Sequence, residues 1–168
     1  MHKAFSGDRA WLSNMYRCTI RWRSVDFPAV ENAYQSAKFL DEDLAAAFAC
    51  LDPYAARRQG GPKGGLTEYM RTDWTDAVKL DVMGCLVFQK SQIPEIRELL
   101  LATGEEEIVE ENSWGDTFWG TCNGRGKNHL GKIWMECRKW TRAPYRGPLE
   151  GCPPTFIQVG GGGCWTNK

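Results

Sequence analysis

The chain has 168 residues, long enough for one domain with a core of its own. Its 21 basic and 21 acidic side chains cancel, so unspecific electrostatic adhesion to nucleic acid is disfavoured. Its seven cysteines are odd in number and without a C-x-x-C pair, which argues for reduced thiols over a disulfide framework or a zinc site. No metal and no cofactor is expected. No apolar run suits a membrane span and no secretory leader is visible, so the cytoplasm is the expected compartment, with no membrane partner.

In chain order, Thr19 to Phe27 alternates well enough for one or two short strands. Asp26-Phe27-Pro28 then reads as a helix start, with a first helix from about Pro28 to Leu40. Glu42 to Leu51 is Ala-rich and helical. Asp52-Pro53 opens a third helix that ends in Gly60-Gly61-Pro62-Lys63-Gly64-Gly65. Thr72 or Asp73 is placed to cap a long helix to about Lys90, with Trp74 just inside it. Pro94 opens another helix, ended by Gly104. Ile108-Val109 is a short strand candidate, and a final helix runs from about Asn128 to Trp140. The expected class is α+β, mostly helical with a few short strands. Residues 1–142 form the expected domain, and 143–168 a Pro/Gly-rich tail.

Chemistry gathers in two places. On the first helix, at about 100° per residue, Glu31, Gln35 and Lys38 share a face with Tyr34 beside them. Val30, Ala33, Ala37 and Leu40 lie opposite and face a core. A solvated polar face is the commoner reason for such a set. Yet Glu31 also sits in the first turn, where the helix dipole favours a carboxylate. The second place is Ser113 to Gly131. There Trp114 and Trp119 bracket Asp116 in a Gly-flanked turn, and Gly124-Arg125-Gly126-Lys127-Asn128 leads into a helix. One tryptophan of the pair is expected in the core and the other as a stacking platform. The helix start offers backbone N–H groups to a phosphate, with Arg125 and Lys127 adding charge. His129 reads equally well as structural or functional. Arg57, Arg58 and Lys63 offer a second anionic contact, although a solvated charge run explains them as well.

The motifs Leu12-Ser13-Asn14-Met15-Tyr16, Phe27-Pro28-Ala29-Val30-Glu31-Asn32-Ala33-Tyr34-Gln35-Ser36-Ala37-Lys38-Phe39, Asp73-Trp74, Leu100-Leu101-Ala102-Thr103-Gly104 and Phe118-Trp119-Gly120 through Gly124-x-Gly126-x-Asn128-x-Leu130-Gly131 to Met135-x-x-Arg138 occur in that order. Together they resemble the NADAR family over about residues 5 to 140. The resemblance implies a helix-rich α+β fold and hydrolysis of a ribose C1–N bond. It implies that Glu31 is the essential carboxylate and Lys38 its lysine partner. Trp74 and Trp119 match the pocket tryptophans, which leaves Trp114 to packing, and Asn128 matches the asparagine at the helix start. The substrate-binding set expected on this basis is Ser13, Asn14, Tyr34, Gln35, Arg58, Lys63, Trp74, Asp116, Trp119, Gly120, Gly124, Gly126, Lys127 and Asn128.

Some members of such a family cleave ribosylamino-pyrimidine phosphates of riboflavin biosynthesis. Others remove ADP-ribose from guanine in nucleic acid. Riboflavin-type enzymes carry an Asp shortly after the Trp-Gly pair, where this chain has Thr121. The arginine expected at the end of the third helix is Gly61 here, with Lys63 near enough to compensate. These departures leave ADP-ribosylated guanine as the first expected substrate and the pyrimidine phosphates as the second. The expected partner is an ADP-ribose-containing or ribosylated small molecule, or ADP-ribosylated DNA. A non-catalytic module that binds NAD or ADP-ribose is the alternative of another class, disfavoured because Glu31 and Lys38 are both retained.

Overall fold

A hairpin opens the larger part of the architecture. In this computed structural model, which describes residues 5–142, β1 (Arg17–Trp22) pairs antiparallel with β2 (Val25–Ala29). Ile20 faces Phe27 across the ladder, and both are buried. The two-residue turn puts Arg23 and Ser24 at φ 47° and 63°. Left-handed residues suit the strand twist, although neither is glycine. Arg23 is held there by a 2.9 Å bond from its Nη1 to the Phe39 carbonyl.

The first helix differs from the sequence expectation at both ends. Ala29 is extended and paired with Arg17, so Pro28 belongs to β2 and α1 (Val30–Ser36) begins two residues later than expected. Pro28 is tolerated in a strand because it faces the ladder irregularity between Arg17 and Ile20. At the other end Phe39 leaves the helical path. It bridges to Met70 and stacks its buried ring on Phe48 at 5.4 Å. Leu40, expected in the core, is exposed in consequence, whereas Val30, Ala33 and Ala37 are fully buried as expected.

Around α1 pack β1, β2, α2 (Glu42–Ala47), the 3₁₀ turn Phe48–Cys50 and α3 (Pro53–Gln59). Side chains cap two of these helices. Asp41 accepts from the Leu44 N–H, and Asp52 from the Tyr54 N–H ahead of Pro53. The next helix, α4 (Asp76–Ser91), starts later than expected. Asp73 does not cap it, because both its oxygens are engaged by the Arg71 guanidinium at 2.5 and 2.6 Å. Thr75 receives the Val78 N–H instead, so Trp74 lies outside the helix.

The described chain divides into two compact units. One is Asn14–Leu86 and holds the elements above, with α4 as far as Leu86. The other comprises residues 5–13 and 87–142. In it a 3₁₀ helix, Gly7–Leu12, meets α6 (His129–Arg142): Trp11 packs edge-on to Trp134, whose Nε1 donates to the Leu12 carbonyl. The other helix, α5 (Pro94–Ala102), packs on α6 and is followed by Gly104 at φ 59°. Arg138 is buried between them and donates to Thr103 Oγ1 and the Glu106 carbonyl. The strand expected at Ile108-Val109 is displaced to β3 (Glu111–Asn112), which pairs parallel with β4 (Thr121–Cys122). The Ile108 carbonyl is occupied instead by the Asn128 side chain.

Among the described residues, no helix is long and apolar enough to cross a membrane. Cys18, Cys50, Cys122 and Cys137 are free thiols, whereas Cys85 is disulfide-bonded, which corrects the expectation of reduced cysteine at that residue. The expected tail, 143–168, lies outside the described residues.

Candidate active site

Every residue of α1 is buried, its polar ones included. A helix enclosed all round is ordinarily apolar. This one encloses Glu31 at 7% exposure, Asn32 at 0% and Gln35 at 5%. The solvated-face explanation therefore fails. Asn32 has a structural task, donating from Nδ2 to the Phe48 and Leu51 carbonyls at 2.9 Å. Gln35 donates from Nε2 to Glu31 Oε1 at 2.8 Å, one helical turn away. The Glu31 N–H, unmatched within the helix, donates to the Asn14 carbonyl at 3.0 Å. Asn14 itself only grazes Met83 Sδ at 3.5 Å through Nδ2, and its buried Oδ1 has no partner among the described residues.

Lys38 stands just past the end of α1, in a tightened turn rather than in the helix. Its backbone is held from both sides: its N–H donates to the Gln35 carbonyl, and its carbonyl accepts the Arg71 N–H at 2.8 Å. The half-buried side chain crosses to α3, where Nζ donates to the Gly60 carbonyl at 2.7 Å. Nζ also lies 5.6 Å from the Tyr34 ring centroid. Burial pushes the Lys38 amine down to about 8 from an ordinary 10.5; the Glu31 carboxylate opposes that shift and Lys79 reinforces it. Tyr34 is buried and packs at 5.4 Å on Trp74, which is partly open to solvent. Arg58 and Lys63 are exposed, on α3 and in the loop after it. The unit Asn14–Leu86 thus carries a carboxylate, an amide, an amine of lowered basicity and a half-open indole.

The other unit holds the remaining expected residues, and most have structural work there. Asp116 Oδ1 accepts the Phe118 and Trp119 N–H groups at 3.1 and 2.9 Å. Asn128 is buried at φ 49°; it donates from Nδ2 to the Ile108 carbonyl and accepts the Glu110 N–H on Oδ1. The N–H groups of Lys127, Asn128, His129 and Leu130 all donate to carbonyls between Thr117 and Gly120. This overturns the expectation that the helix start docks phosphate through its backbone. A Cβ on Gly126 would overlap the Gly120 carbonyl, and one on Gly120 that of Glu110. Both glycines serve close packing of the chain on itself. Gly124, at φ 71°, turns the chain, and its N–H donates to Glu111 Oε1 at 3.4 Å. His129 rests at 4.7 Å on Phe118.

What this unit offers a ligand reduces to side chains. Trp119 is partly exposed and edge-on to Phe118 at 4.9 Å, and Lys127 is exposed over the same Phe118 ring at 5.3 Å. Trp114 is 53% exposed, which corrects its assignment to packing. Thr121 donates its hydroxyl to the Glu111 carboxylate. Ser13, which ends the N-terminal piece of this unit, has its carbonyl occupied by Lys90 Nζ at 2.6 Å.

Gly60, Arg71, Lys79 and Glu111 were not singled out by the sequence. Gly60 registered as a helix breaker and as a glycine of the third-helix motif, with no role toward Gln35 or Lys38, and nothing local marks Lys79 as an electrostatic neighbour of Lys38.

The NADAR domain family model matches residues 3–142. The chain is 40% identical over 133 residues to N-glycosidase Npun_R5314 of Nostoc punctiforme, covering 77% of this chain and 84% of that protein. It is 34% identical over 137 residues to N-glycosidase YbiA of Escherichia coli, covering 80% and 82%. Identity to riboflavin biosynthesis protein VVA0006 of Vibrio vulnificus is 33% over 152 residues, 82% of this chain but 38% of that protein. The NMR structure of E. coli YbiA superposes with a TM-score of 0.71 at 32% identity, covering 83% of this chain and 82% of the other. In motif order, in sequence and in its helix-rich α+β fold, this chain belongs to the NADAR domain family.

Proposed function

We propose that this chain cleaves a ribose C1–N bond with Glu31 and Lys38 as its catalytic groups. Relatives at 34 and 40% identity are named N-glycosidases, and the chain is a hydrolase of N-glycosyl bonds. The observation that carries the residue assignment is the enclosed α1: a buried carboxylate with a dedicated amide donor, followed by a lysine whose amine is lowered to about 8. At pH 7 about one such amine in ten is unprotonated and nucleophilic.

Departure of the base from C1 builds positive charge on the sugar, which the Glu31 carboxylate stabilises. As the C1–N bond breaks, the Lys38 lone pair forms the C1–Nζ bond and one amine proton passes to the departing base nitrogen. The C1–O4 bond then breaks and the second amine proton passes to the ring oxygen, leaving an open-chain Schiff base; water adds to C1, the C1–Nζ bond breaks, and free sugar and lysine result. The Tyr34–Trp74 pair offers the aromatic face for the leaving base, and Arg58 and Lys63 supply exposed positive charge for phosphate.

The substrate we assign is ADP-ribosylated guanine in nucleic acid, with the guanine base as the leaving group. Thr121 in place of an Asp after the Trp-Gly pair supports this choice. The second reading, a ribosylamino-pyrimidine phosphate, is favoured by the names of the Vibrio relative and of a maize relative called riboflavin biosynthesis protein PYRR.

The test is a side-by-side assay on an ADP-ribosyl-guanine oligonucleotide, free NAD and the pyrimidine phosphate. Borohydride is added during turnover. Turnover of the first with a reduced adduct on Lys38 is expected. Turnover of the pyrimidine alone moves the assignment to the second reading. Undiminished activity without an adduct removes the covalent route and leaves Glu31 acting through water. A chain that binds ADP-ribose but cleaves nothing, with Glu31→Gln unchanged, is a reader module.

A further inference from the structure

We propose that Gln35 and Gly60 form one positioning device for the Glu31–Lys38 pair, with Gln35 acting on the carboxylate and not on substrate. The proposal rests on the catalytic assignment above.

Gly60, at the C-terminal end of α3, does two things at once. Its carbonyl accepts Lys38 Nζ at 2.7 Å. Its missing side chain leaves the space that Gln35 fills: a Cβ on Gly60 would overlap Gln35 Oε1 and stand 2.9 Å from both Gln35 Cβ and Cδ. Contact with Cβ and Cδ is not relieved by rotating the far end of a flexible side chain. So α1 and α3 approach to a distance that only glycine permits, and at that distance Gln35 Nε2 reaches Glu31 Oε1 at 2.8 Å.

The cost of this seat is visible. Gln35 is 5% exposed, and its Oε1 is a buried acceptor with no partner among the described residues. An unsatisfied buried carbonyl is destabilising, and an apolar side chain of the same shape would avoid it. The one bond the Gln35 side chain does make holds Glu31 in a single rotamer. On the other arm, a neutral Lys38 amine that gives one N–H to Gly60 has its lone pair aimed by that bond. One backbone contact therefore fixes the amine while the adjacent gap fixes the carboxylate.

The experiment uses the full chain with whichever of the three substrates it turns over. Gln35→Met keeps volume and removes both the donor and the orphaned acceptor. The expected result is a Tm equal to or above that of the parent, kcat lower by about tenfold, and KM within about threefold. Gly60→Ala displaces Gln35 and the carbonyl together, with an expected loss in kcat of about a hundredfold. In a Gln35→Ala background the same Gly60→Ala change should cost far less, because the two act as a unit. Parental kcat in Gln35→Met, or losses for Gly60→Ala and Gln35→Ala that simply multiply, would overturn the proposal. A Gln35→Met loss seen only in KM would return Gln35 to substrate binding and overturn it as well. Glu31→Gln and Lys38→Ala serve as controls. If both still turn over at parental rates, the catalytic assignment fails and this inference with it; if both are inactive while Gln35→Met is unaffected, only this inference fails.

Discussion

At residue scale, Lys38 shows how a charged side chain is prepared for chemistry by its surroundings. Three influences act on its amine, and burial outweighs the other two. Lys79, near enough to repel it, is half-buried and paired with Asp76 at 2.9 Å. Replacing Lys79 by Met should therefore move the acid limb of the kcat–pH profile to higher pH, by a few tenths of a unit at surface dielectric. Glu31→Gln should move any residual acid limb the opposite way. Shifts in the reverse directions would separate that limb from Lys38.

Stability follows from the same group. Folded Lys38 releases its proton near pH 8, unfolded Lys38 near 10.5. Between those values the unfolded chain binds more protons, so stability rises with pH; below 8 the cost of enclosing the charge is carried in full. Lys38→Met should raise Tm at pH 7 by about 2 to 4 °C per kcal/mol recovered, while abolishing turnover, and should flatten the Tm–pH curve over that window. Thermal scans from pH 7 to 10.5 measure it. The proposed set Glu31, Lys38, Trp74 and Trp119 was readable in the sequence because motif order points to it. The close contact at Gly60 was not, because it lies in what its neighbour across α3 and α1 needs.

At the scale of elements, two expected helix starts moved for one reason. Pro28 and Asp73 are good starting residues locally, but a strand ladder holds the first and a buried arginine the second. Local preference is worth about 1 kcal/mol and yields to such contacts. Pro53, Pro94 and Gly104 kept their expected roles because nothing tertiary competes for them. The start of α6 shows the converse. Four N–H groups that look available for an anion are spent on the segment Thr117–Gly120, and Asn128 ties the same start to Ile108 and Glu110. Asn128→Ala would strand the buried Ile108 carbonyl and the part-buried Glu110 N–H. A loss of about 2 to 4 kcal/mol is expected by urea unfolding, without a change in m. A loss confined to substrate affinity, with stability intact, would restore Asn128 as a ligand.

For the whole molecule, charge sets the prediction. With 21 basic and 21 acidic residues, the net charge is zero and does not favour broad electrostatic attraction to a nucleic-acid backbone. If the substrate is a modified guanine recognised through its own ADP-ribose, kcat/KM on an oligonucleotide should fall by less than about tenfold between about 50 and about 200 mM salt. A protein with many phosphate contacts would lose about a thousandfold or more. A steep salt slope would indicate recognition of extended DNA instead.

The sequence by itself determined the family, the α+β class and most of the helices, and it pointed to the pair proposed as catalytic. Those follow from ordered motifs and from caps and breakers that act within a few residues. Only the tertiary structure decided that α1 is enclosed on every side, that Lys38 lies beyond its end with a lowered amine, and that the glycine-rich helix start is occupied by its own chain. Enclosure and proton affinity depend on what residues distant in sequence bring to a site. Gly60 and Lys79 reach Lys38 from 22 and 41 positions away, beyond the range of any helical or strand period.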